Sequence, residues 1–175
     1  MKAEECVLEN VTLMPELWST GDPVRPELNV KFKTAAGRTV YGLKTSAGDY
    51  VAFCCVARTI DVPKDIMELS EMTSGIGTIL VPYTVWSLHR GAGKTIIKKL
   101  LSSVREHSLA TRVVTLSPTT DMARRFHLKN GAEEISTNIV SANFEYPVYN
   151  SPDGDDWYQS AAENDWSCTP QGEVL

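Results

Sequence analysis

The sequence predicts an α/β domain in which β-strands and amphipathic helices follow one another along the chain. Alternating apolar residues on both sides of a turn at residues 45–49 indicate two antiparallel strands. Residues 94–107 carry apolar side chains at helical spacing, and a glycine-rich loop joins this helix to the strand before it. The chain has 175 residues, 42 % of them hydrophobic and 22 % charged, which is the length and composition of one globular domain.

The first predicted elements are a strand, a short helix and an ambiguous segment. Residues 6–13 predict the strand, and residues 14–22 predict a short helix with a proline in its first turn and Gly21 at its end. Residues 28–33 fit either structure. Their apolar residues alternate as in a strand, but they also pair at helical spacing if Pro26 opens a helix.

The middle of the chain holds the antiparallel pair and a third strand. Residues 39–43 and 50–57 predict the two strands around the turn, and the connection over residues 61–73 contains a helical piece. Residues 79–86 predict the next strand. Pro82 removes a hydrogen-bond donor from that strand, which indicates a bulge or a local splaying of the sheet.

The last predicted elements alternate between helix and strand. After the helix over residues 94–107, residues 112–116 predict a short apolar strand. Residues 117–129 predict a helix that starts at Ser-Pro and stops at the following Asn-Gly. Residues 135–146 predict one or two further strands.

Charge divides the chain into a predicted domain, residues 1–149, and an acidic tail, residues 150–175. The tail carries six acidic residues and no Lys or Arg, and we expect it to be mobile or to rest on the basic face of the domain. Within the domain, residues 90–129 carry nine basic residues and only two acidic ones. This surplus predicts a site for a polyanion, either a nucleic acid or a phosphorylated cofactor.

Cysteine and histidine spacing argues against a metal site. The four cysteines and three histidines show no metal-ligand spacing. Cys54 and Cys55 are neighbours in an apolar run, so we expect buried, reduced thiols on opposite faces of a strand. The sequence contains no long apolar run and no signal peptide, so we expect a cytoplasmic protein without a membrane partner.

Residues 90–94, Arg-Gly-Ala-Gly-Lys, form a loop between a strand and a helix. A helix N-terminus offers unpaired N–H groups and positive partial charge, and glycines let an anion approach the backbone closely. The loop therefore predicts a pyrophosphate site. It is not a Walker A motif, because Leu88 stands where that motif needs its first glycine, and it does not fit a Rossmann fingerprint.

Residues 88–93, Leu-His-Arg-Gly-Ala-Gly, open the long helix and resemble the signature of the GNAT (GCN5-related N-acetyltransferase) superfamily. That signature reads Arg/Gln-x-x-Gly-x-Gly/Ala, and Leu88 departs from its first position. The resemblance implies the GNAT fold, a central mixed, mostly antiparallel sheet flanked by helices and splayed between the fourth and fifth strands. It also implies that the loop amides bind the pyrophosphate of coenzyme A.

Three further motifs resemble the catalytic domain of malonyl-CoA decarboxylase, which is itself built on the GNAT fold. They are Val-Thr-Leu-Ser-Pro at residues 114–118, Arg-Phe-His-Leu-Lys-Asn-Gly-Ala at 125–132 and Ala-Asn-Phe-Glu-Tyr at 142–146. The resemblance implies a catalytic pair, Ser117 and His127. From the residues alone, the favoured interpretations are a helix N-cap for Ser117 and a satisfied core or rim histidine for His127.

The resemblance implies a coenzyme A thioester as co-substrate. It places cofactor contacts at Val85, Trp86, Leu88, His89, Arg90, Gly91, Ala92, Gly93, Lys94, Thr95 and Arg124. The leading prediction is an acyl-CoA-dependent acyltransferase with an unidentified acyl acceptor. The first alternative is a malonyl-CoA decarboxylase-like enzyme using Ser117 and His127, and the second is a non-enzymatic module that binds nucleic acid or a partner protein.

Overall fold

A computed structural model of the chain describes residues 5–148, which build one seven-stranded sheet in the order β1-β2-β3-β4-β5-β7-β6. The strands are β1 Val7–Asn10, β2 Arg38–Lys44, β3 Tyr50–Thr59, β4 Ile79–Ser87, β5 Arg112–Val114, β6 Glu133–Thr137 and β7 Ala142–Tyr146. The helices are α1 Val30–Lys33, α2 Ile66–Met72, α3 Ala92–His107 and α4 Asp121–Lys129, with a 3-10 turn at Pro15–Leu17. The predicted acidic tail lies outside the described residues.

The sheet is antiparallel except where β4 runs parallel to β5. This confirms the predicted α/β class with a mixed, mostly antiparallel sheet flanked by helices. The parallel pair follows from the connection through α3, because a helical crossover returns the chain in the same direction. In residues 5–148 no helix is long and apolar enough to cross a membrane.

Apolar side chains cover both faces of the sheet. On one face, here called the α3 face, the core includes Ile96 and Leu100 of α3 and Phe126 of α4. On the other, here called the α2 face, Leu69 of α2 packs with Trp18 and with the side chains of the central strands. Because both faces are covered, every residue of β4 is buried.

The vicinal cysteines lie where the alternation of a strand puts them. Cys54 belongs to the core of the α3 face and Cys55 to the core of the α2 face. Both side chains are fully buried, and burial raises the pKa of both thiols. They are therefore structural thiols, since the thiolate that would react is strongly disfavoured.

The predicted helix over residues 14–22 is wrong in extent. Only Pro15–Leu17 forms a 3-10 turn. The indole Nε1 of Trp18 donates to the main-chain oxygen of Val11 at 2.9 Å and turns the chain back. Residues 28–33, which the sequence left open, contain the short helix α1, whose N-cap Asn29 accepts from the N–H of Phe32.

The predicted start of the helix at Ser117 is also wrong. Helix α4 begins at Asp121, and its N-cap is Thr120, whose hydroxyl accepts from the N–H of Ala123 at 3.2 Å. Ser117 instead forms a β-bridge with Ala142, exchanging both main-chain hydrogen bonds at 2.9 Å. This pairing keeps the backbone extended, so Ser117 is not a helix cap.

Candidate functional site

Strands β4 and β5 separate at the centre of the sheet. They pair directly only at Ile79 with Arg112 and Leu80 with Val113, and the N–H of Leu116 then reaches the oxygen of Pro82 at 2.9 Å. Beyond that point β4 continues to Ser87 without β5. This is the predicted splaying, and it leaves an opening between the two strands.

A bulge in β4 lies at the start of this opening. Val56 of β3 faces Pro82, whereas Cys55 faces Thr84, so Tyr83 is an extra residue in the register. Pro82 has no N–H to give to a ladder, which favours a bulge at this place. The bulge brings the Tyr83 side chain and the hydroxyl of Thr84 to the α2 face.

Arg25, from the segment before α1, spans the opening. Its Nε donates to the main-chain oxygen of Tyr83 at 2.7 Å, and its Nη2 donates to that of Leu116 at 3.0 Å. The guanidinium thus replaces a direct hydrogen bond between the strands. Burial lowers the pKa of Arg25, but the group stays charged because its ordinary pKa is so high.

A buried ion pair supports the bulge from the α2 face. The Asp22 carboxylate lies 2.7 Å from Lys33 Nζ, and the two side chains are only 3 % and 2 % exposed. The same carboxylate accepts from the hydroxyl of Thr84 and from the N–H groups of Val24 and Arg25. Sequence analysis missed this cluster, because no motif links residues so far apart in the chain.

The glycine loop forms the N-terminus of α3. Gly91 is the N-cap and has φ +82°, a left-handed conformation that glycine adopts without strain. Thr95 closes the first turn, since both its N–H and its hydroxyl donate to the oxygen of Gly91. Within residues 5–148 the N–H groups of Gly91 and Gly93 have no acceptor, so they are available to an anion.

The outer side of this loop borders an open cavity of about 490 Å³. Leu88 is half exposed, and His89 and Arg90 are exposed. The cavity is lined by Glu5, Cys6, Thr45, Ser46, Asp49, Val51, His89 and Arg90. Ala92, Gly93 and Thr95 are buried and shape the turn.

The other predicted cofactor contacts lie in two different places. The Val85 side chain packs in the core of the α3 face, and the Trp86 side chain packs in the core of the α2 face. Because the two side chains point to opposite faces of the sheet, the two residues can contact the same ligand only through their backbone. Arg124 is 60 % exposed and its Nη2 lies 3.0 Å from Glu134 Oε2. That ion pair directs its side chain toward β6.

Ser117 is 3 % exposed and lies in the extended segment that follows the short strand β5. Its hydroxyl donates to Thr115 Oγ1 at 2.8 Å, and the same oxygen accepts from the N–H of Phe144 at 3.1 Å. By the alternation of the strand, Thr115 and Ser117 face the same side as Val113, which is the α3 face.

His127 is 1 % exposed and lies on α4, on the same face. Its ring stacks on Phe144 and meets Phe126 edge to face, with both centroids 5.1 Å away. Its Nδ1 lies 2.7 Å from the hydroxyl of Tyr146, the last residue of the Ala-Asn-Phe-Glu-Tyr motif, for which the sequence predicted no role. Burial lowers the pKa of His127 to about 3, so the ring is neutral near pH 7.

The structure brings Ser117 and His127 to one face, but no direct hydrogen bond joins them among the contacts of residues 5–148. They are linked through Phe144, whose N–H binds Thr115 and whose ring stacks on His127. A neutral imidazole and a hydroxyl in a buried site can orient a substrate and donate hydrogen bonds to a developing negative charge.

Comparisons with known proteins identify the fold. No family model matches the chain, and no curated protein matches its sequence. Malonyl-CoA decarboxylase from Agrobacterium vitis matches in structure with a TM-score of 0.69 and 15 % identity, over 100 % of this chain and 66 % of that one. This chain therefore spans slightly less than two thirds of that protein's length.

Two smaller proteins match over nearly their whole length. The loading GNATL domain of CurA from Lyngbya majuscula has a TM-score of 0.60 and 13 % identity, over 82 % of this chain and 98 % of that one. AAC(6')-Ib in complex with ribostamycin and coenzyme A has a TM-score of 0.57 and 12 % identity, over 94 % of this chain and 99 % of that one. This chain has the GNAT fold and resembles malonyl-CoA decarboxylase in structure.

Proposed function

We propose that this chain binds the pyrophosphate of a coenzyme A thioester at residues 90–94 and transfers its acyl group to an acceptor. The observation that carries the proposal is the position of the glycine loop. It caps the N-terminus of α3 directly after β4, the strand that separates from β5. Solved structures of this fold include complexes with coenzyme A and acetyl-CoA.

The loop has the chemistry of a pyrophosphate site. The N–H groups of Gly91 and Gly93 have no acceptor in the described part of the chain, and α3 is long enough to add its dipole to them. Arg90 and Lys94 add positive charge on either side. We assign Leu88 and His89 to the rim of this site and Ala92 and Thr95 to its framework.

The opening between β4 and β5 supports a position for the thioester. From this opening β4 runs on to the glycine loop, and Ser117 and His127 lie on the α3 face of the same sheet. Arg25 already holds the main-chain oxygens of Tyr83 and Leu116. The acyl group would therefore meet an edge of the sheet at which these two oxygens already have a hydrogen-bond donor.

Calorimetric titration with coenzyme A and acetyl-CoA tests the proposal. We expect saturable binding of both, and a loss of roughly ten-fold in affinity for Arg90→Ala, the size of one hydrogen bond to a charged group. Lys31→Ala is the matched control, since Lys31 is an exposed cation on α1. Equal affinities of the two variants for coenzyme A would show that the loop is not part of the coenzyme A site.

A second candidate is a decarboxylase that acts on malonyl-CoA, favoured by the match of the whole chain to malonyl-CoA decarboxylase. Ser117 would then orient the malonyl carboxylate, and His127 would stabilise the oxygen of the enolate that remains after loss of CO₂. Water would supply the proton that converts the enolate carbon to the methyl group of acetyl-CoA. Mass spectrometry of malonyl-CoA with the protein alone decides between the two. Acetyl-CoA formed without any acceptor, and lost in Ser117→Ala, supports decarboxylation; unchanged malonyl-CoA argues against it.

A further inference from the structure

We infer that Tyr146 is a positioning residue that fixes the proton of the His127 imidazole on Nε2, so that His127 acts as a neutral hydrogen-bond donor and not as a base. The inference rests on the proposed function for the site in which His127 acts. It concerns the protonation state of the ring, which can be measured without any turnover.

The hydrogen bond between the two side chains determines the tautomer. Tyr146 OH lies 2.7 Å from His127 Nδ1, and Tyr146 is 1 % exposed. Within residues 5–148 the imidazole is the only hydrogen-bond partner of this hydroxyl. If Nδ1 carried the proton, the phenol hydrogen would be buried without an acceptor, so the phenol donates and Nδ1 accepts.

The surroundings keep both groups in these states. Burial raises the pKa of Tyr146 well above its ordinary value, so the phenol keeps its hydrogen. Burial alone lowers the pKa of His127, and no charged side chain contributes to that shift. The titratable groups that face the pair are each other and, next to Tyr146, the buried Cys54 of β3.

The Nε2 edge of the ring is the part left for a ligand to bind. Among the described residues, the one hydrogen bond of the His127 side chain uses Nδ1, so Nε2 has no partner there. A proton on Nε2 can bind an oxygen that gains negative charge, such as that of a thioester or an enolate.

This assignment excludes a role for His127 as the base that deprotonates an acyl acceptor. A ring whose Nε2 already carries a proton cannot accept one from an incoming amine there, and its Nδ1 is occupied by Tyr146. Deprotonation of an acceptor must then fall to another group or to solvent. The fixed role of His127 is to stabilise charge on an oxygen.

Nitrogen-15 NMR of the histidine side chains in the full chain tests the inference. In the wild-type protein we expect His127 to show the Nε2–H tautomer with no change between about pH 5 and 8. The exposed rings of His89 and His107 give reference signals for imidazoles in contact with water. An Nδ1–H tautomer, or a midpoint for His127 in that range, would overturn the inference.

Two tyrosine variants then separate the contact from a general effect. Tyr146→Phe removes the phenol hydroxyl and should let both His127 tautomers appear, whereas an unchanged spectrum would show that Tyr146 does not fix the ring. Tyr83→Phe is the matched control, because Tyr83 is as buried but packs in the core of the α2 face. We expect it to leave the His127 signals unchanged.

The outcomes distinguish this inference from the proposed function. If Tyr146→Phe does not fold, the wild-type spectrum alone still decides the tautomer. If the tautomer is as inferred but calorimetry detects no binding of coenzyme A, the proposed function fails and the assignment of the proton stands. If coenzyme A binds and His127 titrates, only the neutral-donor assignment is overturned.

Discussion

The Nε of Arg25 donates to the main-chain oxygen of Tyr83 at 2.7 Å, at the point where β4 leaves β5. Its second bond, to the main-chain oxygen of Leu116, spans the opening beyond the last direct hydrogen bond between the two segments. An opening in a sheet normally exposes backbone groups that cost free energy when left without partners. Arg25 satisfies two of them, the main-chain oxygens of Tyr83 and Leu116.

Replacing Arg25 with Ala should lower the free energy of unfolding by about 2 kcal/mol, because two charge-assisted hydrogen bonds are lost from a partly buried position. Urea denaturation measures this difference. Arg125→Ala is the control, since Arg125 is exposed on α4 and a surface change of this kind costs about 0.5 kcal/mol or less. Equal losses in the two variants would show that the bridge contributes no stability.

The buried pair of Asp22 and Lys33 should be sensitive to the loss of either partner. Lys33→Met leaves the carboxylate buried without its counter-charge, and we expect a loss of roughly 3–5 kcal/mol in the free energy of unfolding. The double variant Asp22→Leu, Lys33→Met should lose less than the sum of the two single variants. Additive losses, measured by urea denaturation, would mean that the two charges do not interact.

Gly91→Ala should weaken binding of coenzyme A. The added methyl group meets no atom within 4 Å. However, φ is +82°, a left-handed conformation that costs an alanine about 1–2 kcal/mol, so we expect the loop to move to a different backbone conformation. Gly75→Ala is the control, because Gly75 also has open space around it and lies far from α3 in the chain. Calorimetry should show reduced affinity in the first variant only.

His127→Gln should retain at least about ten times the turnover of His127→Ala, because the amide of glutamine also supplies an N–H donor in a neutral side chain. The assay is conversion of the acyl-CoA that calorimetry identifies as a ligand. Equal loss in both variants would instead indicate that His127 transfers a proton, a task that glutamine cannot perform.

The stability of the protein should fall as the pH falls below about 6.5, in part because of His127. Its pKa is about 3 in the folded chain and near its ordinary value of 6.5 when unfolded, so only the unfolded chain binds the proton between these values. Between about pH 6.5 and 5 this contributes a loss of about 2 kcal/mol. Urea denaturation of wild type and His127→Gln should show a steeper pH dependence in the wild type, and parallel curves would contradict the shift.

The order of strands and helices was predictable, because each main element has a clear local signal. The alternation around residues 45–49 and the apolar repeat of α3 correspond to β2, β3 and α3 in the structure. Errors arose where tertiary contacts override local preference. Ser117-Pro118 has the composition of a helix start, but the bridge to Ala142 holds it in the sheet.

The glycine loop was also predictable from a local signal, because its residues are adjacent in the chain. The cluster of Asp22, Lys33 and Thr84 and the bridge of Arg25 were not, because they join segments that are far apart in sequence and carry no motif. The Tyr146 contact lies between these cases. Tyr146 belongs to a recognisable motif, but only the fold shows that its hydroxyl reaches His127.

Amide NMR of Gly91 and Gly93 during titration with coenzyme A tests most directly whether the loop binds pyrophosphate. The account predicts saturable shifts of both N–H signals with coenzyme A, and no such shifts with pantetheine, which lacks the pyrophosphate. Unchanged glycine signals at concentrations where coenzyme A binds elsewhere on the protein would contradict it.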